Sequence, residues 1–103
     1  MGPGLLESAY AQCLAHELSE AGIPFELERP VPVSYKGKRL DCGFRADIMV
    51  DDSLIVELKS VQELLPIHEA QLLTYMRLAE VRIGLLMNFN VRMFKDGLKR
   101  MVL

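Results

Sequence analysis

Apolar residues recur at helical spacing through "GLLESAYAQCLAHELSEAG", at Leu6, Tyr10, Cys13, Leu14 and Leu18, and Gly22 and Pro24 end the run. That pattern predicts an amphipathic helix. "PFELERPVPVSY" alternates only weakly, and Pro30 and Pro32 have no N–H to give a ladder, so it reads as an edge or interrupted strand. Past the turn at "KGK", residues 39 to 50 read as its inner neighbour, Asp51 to Ser53 as a turn, and residues 54 to 60 as the next strand of a meander. Pro66 suits the first position of a second helix, "PIHEAQLLTYMRLAE", where no partner for its missing N–H is needed. The nearly continuous apolar run "VRIGLLMNFN" reads as a buried strand, and "GLKRMVL" as an optional short one at the end. The predicted order is α-β-β-β-α-β, with room for a last β.

Composition narrows what such a chain does. With 103 residues, half hydrophobic and a quarter charged, it has the size of one domain. A domain of this size buries roughly two-thirds of its unfolded surface and folds without metal or disulfide support, so a bound metal needs a functional reason. A net charge of −2 and a pI near 5.6 give no overall basic field, so a polyanion partner has to be met by a local patch. Cys13 and Cys42 stand in no metal or redox spacing and read as small apolar residues of a reducing compartment, which makes cytoplasm the expected location. No apolar run approaches the ~18 residues that span a bilayer, and the first residues lack the basic and apolar regions of a signal peptide. The chain has no internal repeat and no low-complexity linker.

The chemistry concentrates in "RADIMVDDSLIVELKS", residues 45 to 60. A three-residue loop at 51 to 53 sets Val50 opposite Leu54, hence Asp47 opposite Glu57 and Arg45 opposite Lys59. Opposite Cβ atoms lie ~5 Å apart, where two carboxylates repel unless something compensates. A divalent cation is one compensation: a hard ion such as Mg²⁺ takes oxygen ligands, and the two carboxylates with the main-chain carbonyl of Leu58 supply part of its shell. Glu57 and Lys59 project to one side of their strand while Leu54, Val56 and Leu58 line the other, so Lys59 stands beside the ion. The alternative is a cross-strand ion-pair cluster of Asp47, Glu57, Arg45 and Lys59 on a solvated face. Asp51, Asp52 and Ser53 read as turn formers.

Asp47 followed after a hairpin by "ELK" resembles the Asp and Glu-x-Lys core of the PD-(D/E)XK nuclease superfamily. "GLLESAY" carries Gly4, Glu7 and Tyr10 in the spacing of the GxxExxY protein family, and "HEAQLLTYMRL", "GLLMNFN" and "DGLKR" resemble that family's later blocks in order. The spacing of Gln71 and Tyr75 is similar to the Gln-x-x-x-Tyr signature of the RecB-like branch. The resemblance implies an α/β fold, a central mixed β-sheet flanked by two main helices with a restriction-endonuclease-like core, and a metal-dependent phosphodiesterase. Relatives of this kind usually begin with a further stretch ahead of the Gly-rich turn. The lack of that stretch here would uncover apolar surface and favour a homodimer.

Several residues carry two readings. Glu7, in the first turn of its helix, fits capping, while the resemblance makes it an additional metal ligand. Gln71 and Tyr75, four apart, share a helical face with His68 one turn earlier. They form either an ordinary polar stripe or, by the resemblance, a Gln71 that binds the substrate phosphate or holds Lys59, supported by Tyr75. His68 reads as structural, Tyr10 as core, and Asn88 and Asn90 as turn residues. The implied mechanism has Asp47, Glu57, Leu58 and Glu7 holding Mg²⁺, with Mn²⁺ as substitute, Lys59 orienting or deprotonating the attacking water, and Gln71 positioning the scissile phosphate. Lys36, Lys38, Arg39 and Arg45 fit either backbone contacts to nucleic acid, DNA first, or solubilising charge. Two other classes stay open at this point: a catalytically silent nuclease-like binding module, and a hydrolase of small phosphoesters.

Overall fold

The computed structural model describes residues 3–90 and 97–103, with side chains from Leu6 onward. Two helices and seven strands follow in the order α1 (Pro3–Glu20), β1 (Phe25–Pro30), β2 (Val33–Tyr35), β3 (Lys38–Leu40), β4 (Arg45–Val50), β5 (Leu54–Lys59), α2 (Pro66–Ala79), β6 (Ile83–Asn88) and β7 (Leu98–Val102). Five strands form one sheet in the order β1-β4-β5-β6-β7. Only β5 and β6 are parallel, joined through α2 as a crossover, and the other neighbours are antiparallel. The sheet is therefore mixed, as the resemblance implies.

Each helix covers one face. Successive residues of a strand point to opposite faces, and β5 shows the division directly. Ile55 packs with Met49, Leu86 and the α2 residues Leu72, Tyr75 and Met76, whereas Val56 and Leu58 pack with Ile48 beneath Tyr10, Ala11, Leu14 and Leu18 of α1. Tyr10 also stacks flat on Phe89, ring centroids 3.7 Å apart, in the core role expected of it. The helix turns its 10/11/14/18 stripe to the sheet, so Cys13, expected to be apolar filling, is exposed, and so is Cys42. On the other face α2 comes so close to β6 that a Cβ on Gly84 would lie 2.7 Å from Met76 Sδ.

The strand expected over residues 39 to 50 is two strands. Asp41 Oδ1 accepts the N–H of Gly43 at 2.9 Å, and Gly43 takes a φ of +81°, which bends the chain between β3 and β4. Its first part instead pairs with β2 in a separate hairpin turning at Lys36 and Gly37. The strand expected from Phe25 onward likewise stops at Pro30, ahead of Pro32. Proline is tolerated there because β1 is an edge. The optional last strand is present as β7, and Asp96 of the "DGLKR" block lies outside the described residues. Among the described residues no helix is long and apolar enough to cross a membrane.

Candidate active site

The β4–β5 ladder runs Val50↔Leu54, Met49↔Ile55, Ile48↔Val56 and then stops. Extended by one step that register sets Asp47 against Glu57, as the loop length predicts. Here the two strands exchange side chains in place of main-chain bonds. Leu58 N–H donates to Asp47 Oδ2 at 2.7 Å, and Asp47 N–H donates to Glu57 Oε1 at 3.2 Å.

The backbone of β4 turns at this residue. Ala46 packs in the cluster under α2 while Ile48 packs in the cluster under α1, although residues two apart on a regular strand share a face. Across the β1–β4 ladder the pairing skips from Leu27↔Ile48 to Arg29↔Ala46, and the residue opposite Asp47, Glu28, has a left-handed φ of +50°. Local twisting of this kind re-aims a side chain out of the regular sheet surface. The result is a fork between β4 and β5 with two carboxylates at its base.

Glu57 is 5% exposed. Among the described residues no lysine, arginine or histidine lies within ion-pair distance of Glu57 or Asp47. Burial, first, and the neighbouring Asp47 charge, second, push the Glu57 carboxyl up to about 8; the hydrogen bond from Asp47 N–H and the more distant Lys59 charge pull only partly the other way. Both faces of the strand are packed, so the expectation of one packed and one open face gives way to a buried acid inside the fork.

The fork opens onto a cleft of about 340 Å³ on the α1 side, lined by Asp47 and Leu58 together with Glu7, Ser8, Ala11, Gln12, Leu27 and Glu28. The carbonyl of Leu58 belongs to it as well. Main-chain groups along a strand point alternately to its two neighbours. Because Lys59 O accepts Phe89 N–H at 2.9 Å on the β6 side, Leu58 turns its carbonyl toward the fork. Asp47 lines the cleft and Glu57, 5% exposed, does not; with the Leu58 carbonyl the pair offers oxygen donors and no cationic partner among the described residues, the donor chemistry that a hard divalent ion takes.

Not every expected ligand joins them. Glu7 lines the same cleft, but its Oε1 accepts Ser60 N–H at 3.2 Å, which ties α1 to the end of β5. Among the described residues no three His, Cys, Asp or Glu side chains gather into one metal-holding group. Glu7 thus stands apart from the Asp47–Glu57 pair. Arg45 is not opposite Lys59, since the ladder has ended before it reaches them; it pairs with Pro30 of β1, and its guanidinium binds Asp41 at 3.1 and 3.3 Å. The cross-strand ion-pair cluster is therefore absent among the described residues. On α2, Gln71 Nε2 donates to Tyr75 Oη at 3.1 Å, with Tyr75 buried. Among the described residues no hydrogen bond links Gln71 to Asp47 or Glu57. His68 is structural, its Nδ1 accepting Leu65 N–H at the start of α2.

Two contributors carry little signal in the chain pattern. Glu28 is one acid in an acidic, Pro-flanked edge strand, and only its left-handed backbone brings it to the cleft. Asn88, 3% exposed, accepts Val61 N–H at 3.1 Å and donates to Val61 O at 2.9 Å, which fixes the chain as it leaves β5. A polar residue closing an apolar run is the one hint of that buried role.

Compared with known protein families, the chain matches the model of the PD-(D/E)XK nuclease superfamily over residues 1–101. Comparison with curated proteins and with solved structures gives no significant match.

Proposed function

Because the chain belongs to the PD-(D/E)XK nuclease superfamily, we propose that the β4–β5 fork is a metal-dependent phosphodiesterase centre acting on nucleic acid, with DNA as the primary substrate. Members of this superfamily are generally dependent on a divalent metal. The Gly4-Glu7-Tyr10 and Gln71-Tyr75 spacings further support placing the chain in the GxxExxY group of the RecB-like branch. The observation that carries the proposal is the pairing of buried Glu57 with half-buried Asp47, held side by side with no cationic partner among the described residues.

Asp47, Glu57 and the Leu58 carbonyl would hold Mg²⁺, with Mn²⁺ as a substitute and Glu7 able to contribute through a water. The ion, when bound, lowers the pKa of a coordinated water and neutralises charge on the phosphoryl oxygens. The protein's own groups do the positioning. Asp47 is anchored by Leu58 N–H and Glu57 by Asp47 N–H, so neither carboxylate has to reorganise when substrate arrives. Lys59 follows two residues after Glu57 on the same side of β5, where its ammonium orients the attacking water and meets the negative charge that develops in the transition state. Gln71, braced by Tyr75, presents its amide to the phosphate.

The test is cleavage of labelled single- and double-stranded DNA and RNA with Mg²⁺ or Mn²⁺, comparing wild type with Asp47→Ala and Lys59→Ala. Loss of a single charge-stabilising group costs on the order of 10²–10³ in rate, so each variant is expected to fall at least that far. Equal cleavage by all three proteins would place the activity elsewhere. No cleavage by wild type, with nucleic-acid binding intact, would make this a silent binding module.

A further inference from the structure

A second cleft, of about 430 Å³, lies where the β2–β3 hairpin meets the end of α2. Its wall carries Arg29, Arg39 and Arg77 against one carboxylate, Glu80. Arg29 is already engaged by Asp52 and Glu26. Arg39 and Arg77, both exposed, have no carboxylate within ion-pair distance among the described residues. At the end of α2, Arg77 O and Met76 O accept Glu80 N–H and Val81 N–H.

The placement of this cleft relative to the carboxylates matters most. Edge strand β1 is a wall of both: Glu28 lines the acidic cleft and the next residue, Arg29, lines the basic one. Arg29 and Pro30 lie opposite Ala46 and Arg45, immediately before Asp47. The net charge of the molecule is −2, so two unpaired guanidinium groups beside an acidic site are a local reversal of sign. Arginine's planar fork suits phosphate oxygens in particular.

We infer that Arg39 and Arg77 form a phosphate-backbone anchor for nucleic acid, separate from the carboxylate fork, which holds the strand where it passes over β1 away from the scissile bond. The direction given to the strand rests on the nuclease reading above; the anchor itself does not need catalysis. Lys36 and Lys38 lie on the same hairpin. Ser34 and Arg39 are paired across it and both line the cleft, whereas Tyr35 and Lys38, one residue along, share the other hairpin face. Arg39 is thus the hairpin's contribution to the cleft.

Binding of short fluorescein-labelled single-stranded and duplex DNA, followed by anisotropy in EDTA, tests the anchor without turnover. Each phosphate contact adds about 0.7–0.9 to the slope of log K against log salt and so roughly fivefold to tenfold in affinity near 0.1 M salt. Arg39→Ala and Arg77→Ala should each weaken binding by about that factor and lower the slope by about one. Arg100→Ala, the same charge change on β7 at the opposite edge of the sheet, should change affinity less than about twofold. Glu80→Gln should tighten binding. The inference is overturned if wild type binds neither oligonucleotide, if Arg100→Ala weakens binding as much as the cleft variants, if Glu80→Gln weakens it, or if polyglutamate displaces the probe as well as unlabelled DNA does. Retained metal-dependent cleavage with unaffected binding in Arg39→Ala and Arg77→Ala sinks the anchor alone. Arginine-dependent binding by a wild type that never cleaves sinks the catalytic reading alone.

Discussion

Glu57→Gln isolates the electrostatic proposition on which the site stands. The Glu57 carboxyl is raised from 4.5 to about 8, chiefly by burial and then by Asp47. A folded-state value above the unfolded one means that, between those limits, the folded protein keeps a proton the unfolded chain has released. The contribution is fully present below about pH 4.5 and is lost as the pH rises through about 8. One pH unit in that window is worth up to about 1.4 kcal/mol, so the ceiling over the whole window is on the order of 5 kcal/mol. Since a domain this small has a total of about 5–15 kcal/mol, even a third of that ceiling is easily measured. Glutamine keeps the shape and the acceptor for Asp47 N–H but has no proton to lose. Urea denaturation in EDTA at a series of pH values should show wild-type stability falling from about pH 5 to about pH 8 while the variant stays flat by comparison. Adding Mg²⁺ should reduce the wild-type slope, because the dication takes over from the proton, and should leave the variant unchanged. Parallel curves for the two proteins in EDTA would refute the reasoning.

Other perturbations follow from particular contacts. Gly84→Ala puts a methyl 2.7 Å from Met76 Sδ and 3.0 Å from Leu72, and the overpacking should cost about 1–3 kcal/mol in denaturant melts. Asn88→Ala strips both partners from half-buried Val61 main-chain groups, an expected loss of about 1–3 kcal/mol, with cleavage falling as well because the end of β5 loosens. Glu80, at the end of α2 with a φ of 59°, is a non-glycine residue in a left-handed cap. Glu80→Gly should therefore raise stability by about 1 kcal/mol in thermal unfolding, and a drop would mean its side chain does more than end the helix.

Periodicity and punctuation mark both helices in the sequence: Pro66 opens α2, and Tyr10, Leu14 and Leu18 of the predicted stripe pack on the sheet with Ala11, while Leu6 and Cys13 are exposed. The length of the 51–53 loop also placed Asp47 beside Glu57, because hairpin register is a matter of counting. Counting failed for Arg45 and Lys59 because it assumes a ladder that continues, and this one opens where carboxylates replace main-chain partners. The break between β3 and β4 was written in "DCG", an aspartate two residues before a glycine, but the alternation on either side masked it. Glu7 and Asn88 were visible as residues and not as bonds. Their partners, Ser60 and Val61, lie 53 and 27 residues away and offer only backbone groups, which leave no mark on side-chain pattern.

Leu58, Ser60 and Val61 are held in turn by Asp47 of β4, Glu7 of α1 and Asn88 of β6. Three distant stretches of polypeptide thus clamp one short exit segment, and the last clamp is made late in the order of synthesis. A growing chain that already contains both acids and the lysine lacks Asn88, so the Val61 clamp is missing until β6 has been added and has paired with β5 in parallel. On the proposed function, hydrolytic competence would therefore wait for the β5–β6 pairing that brings Asn88 to Val61.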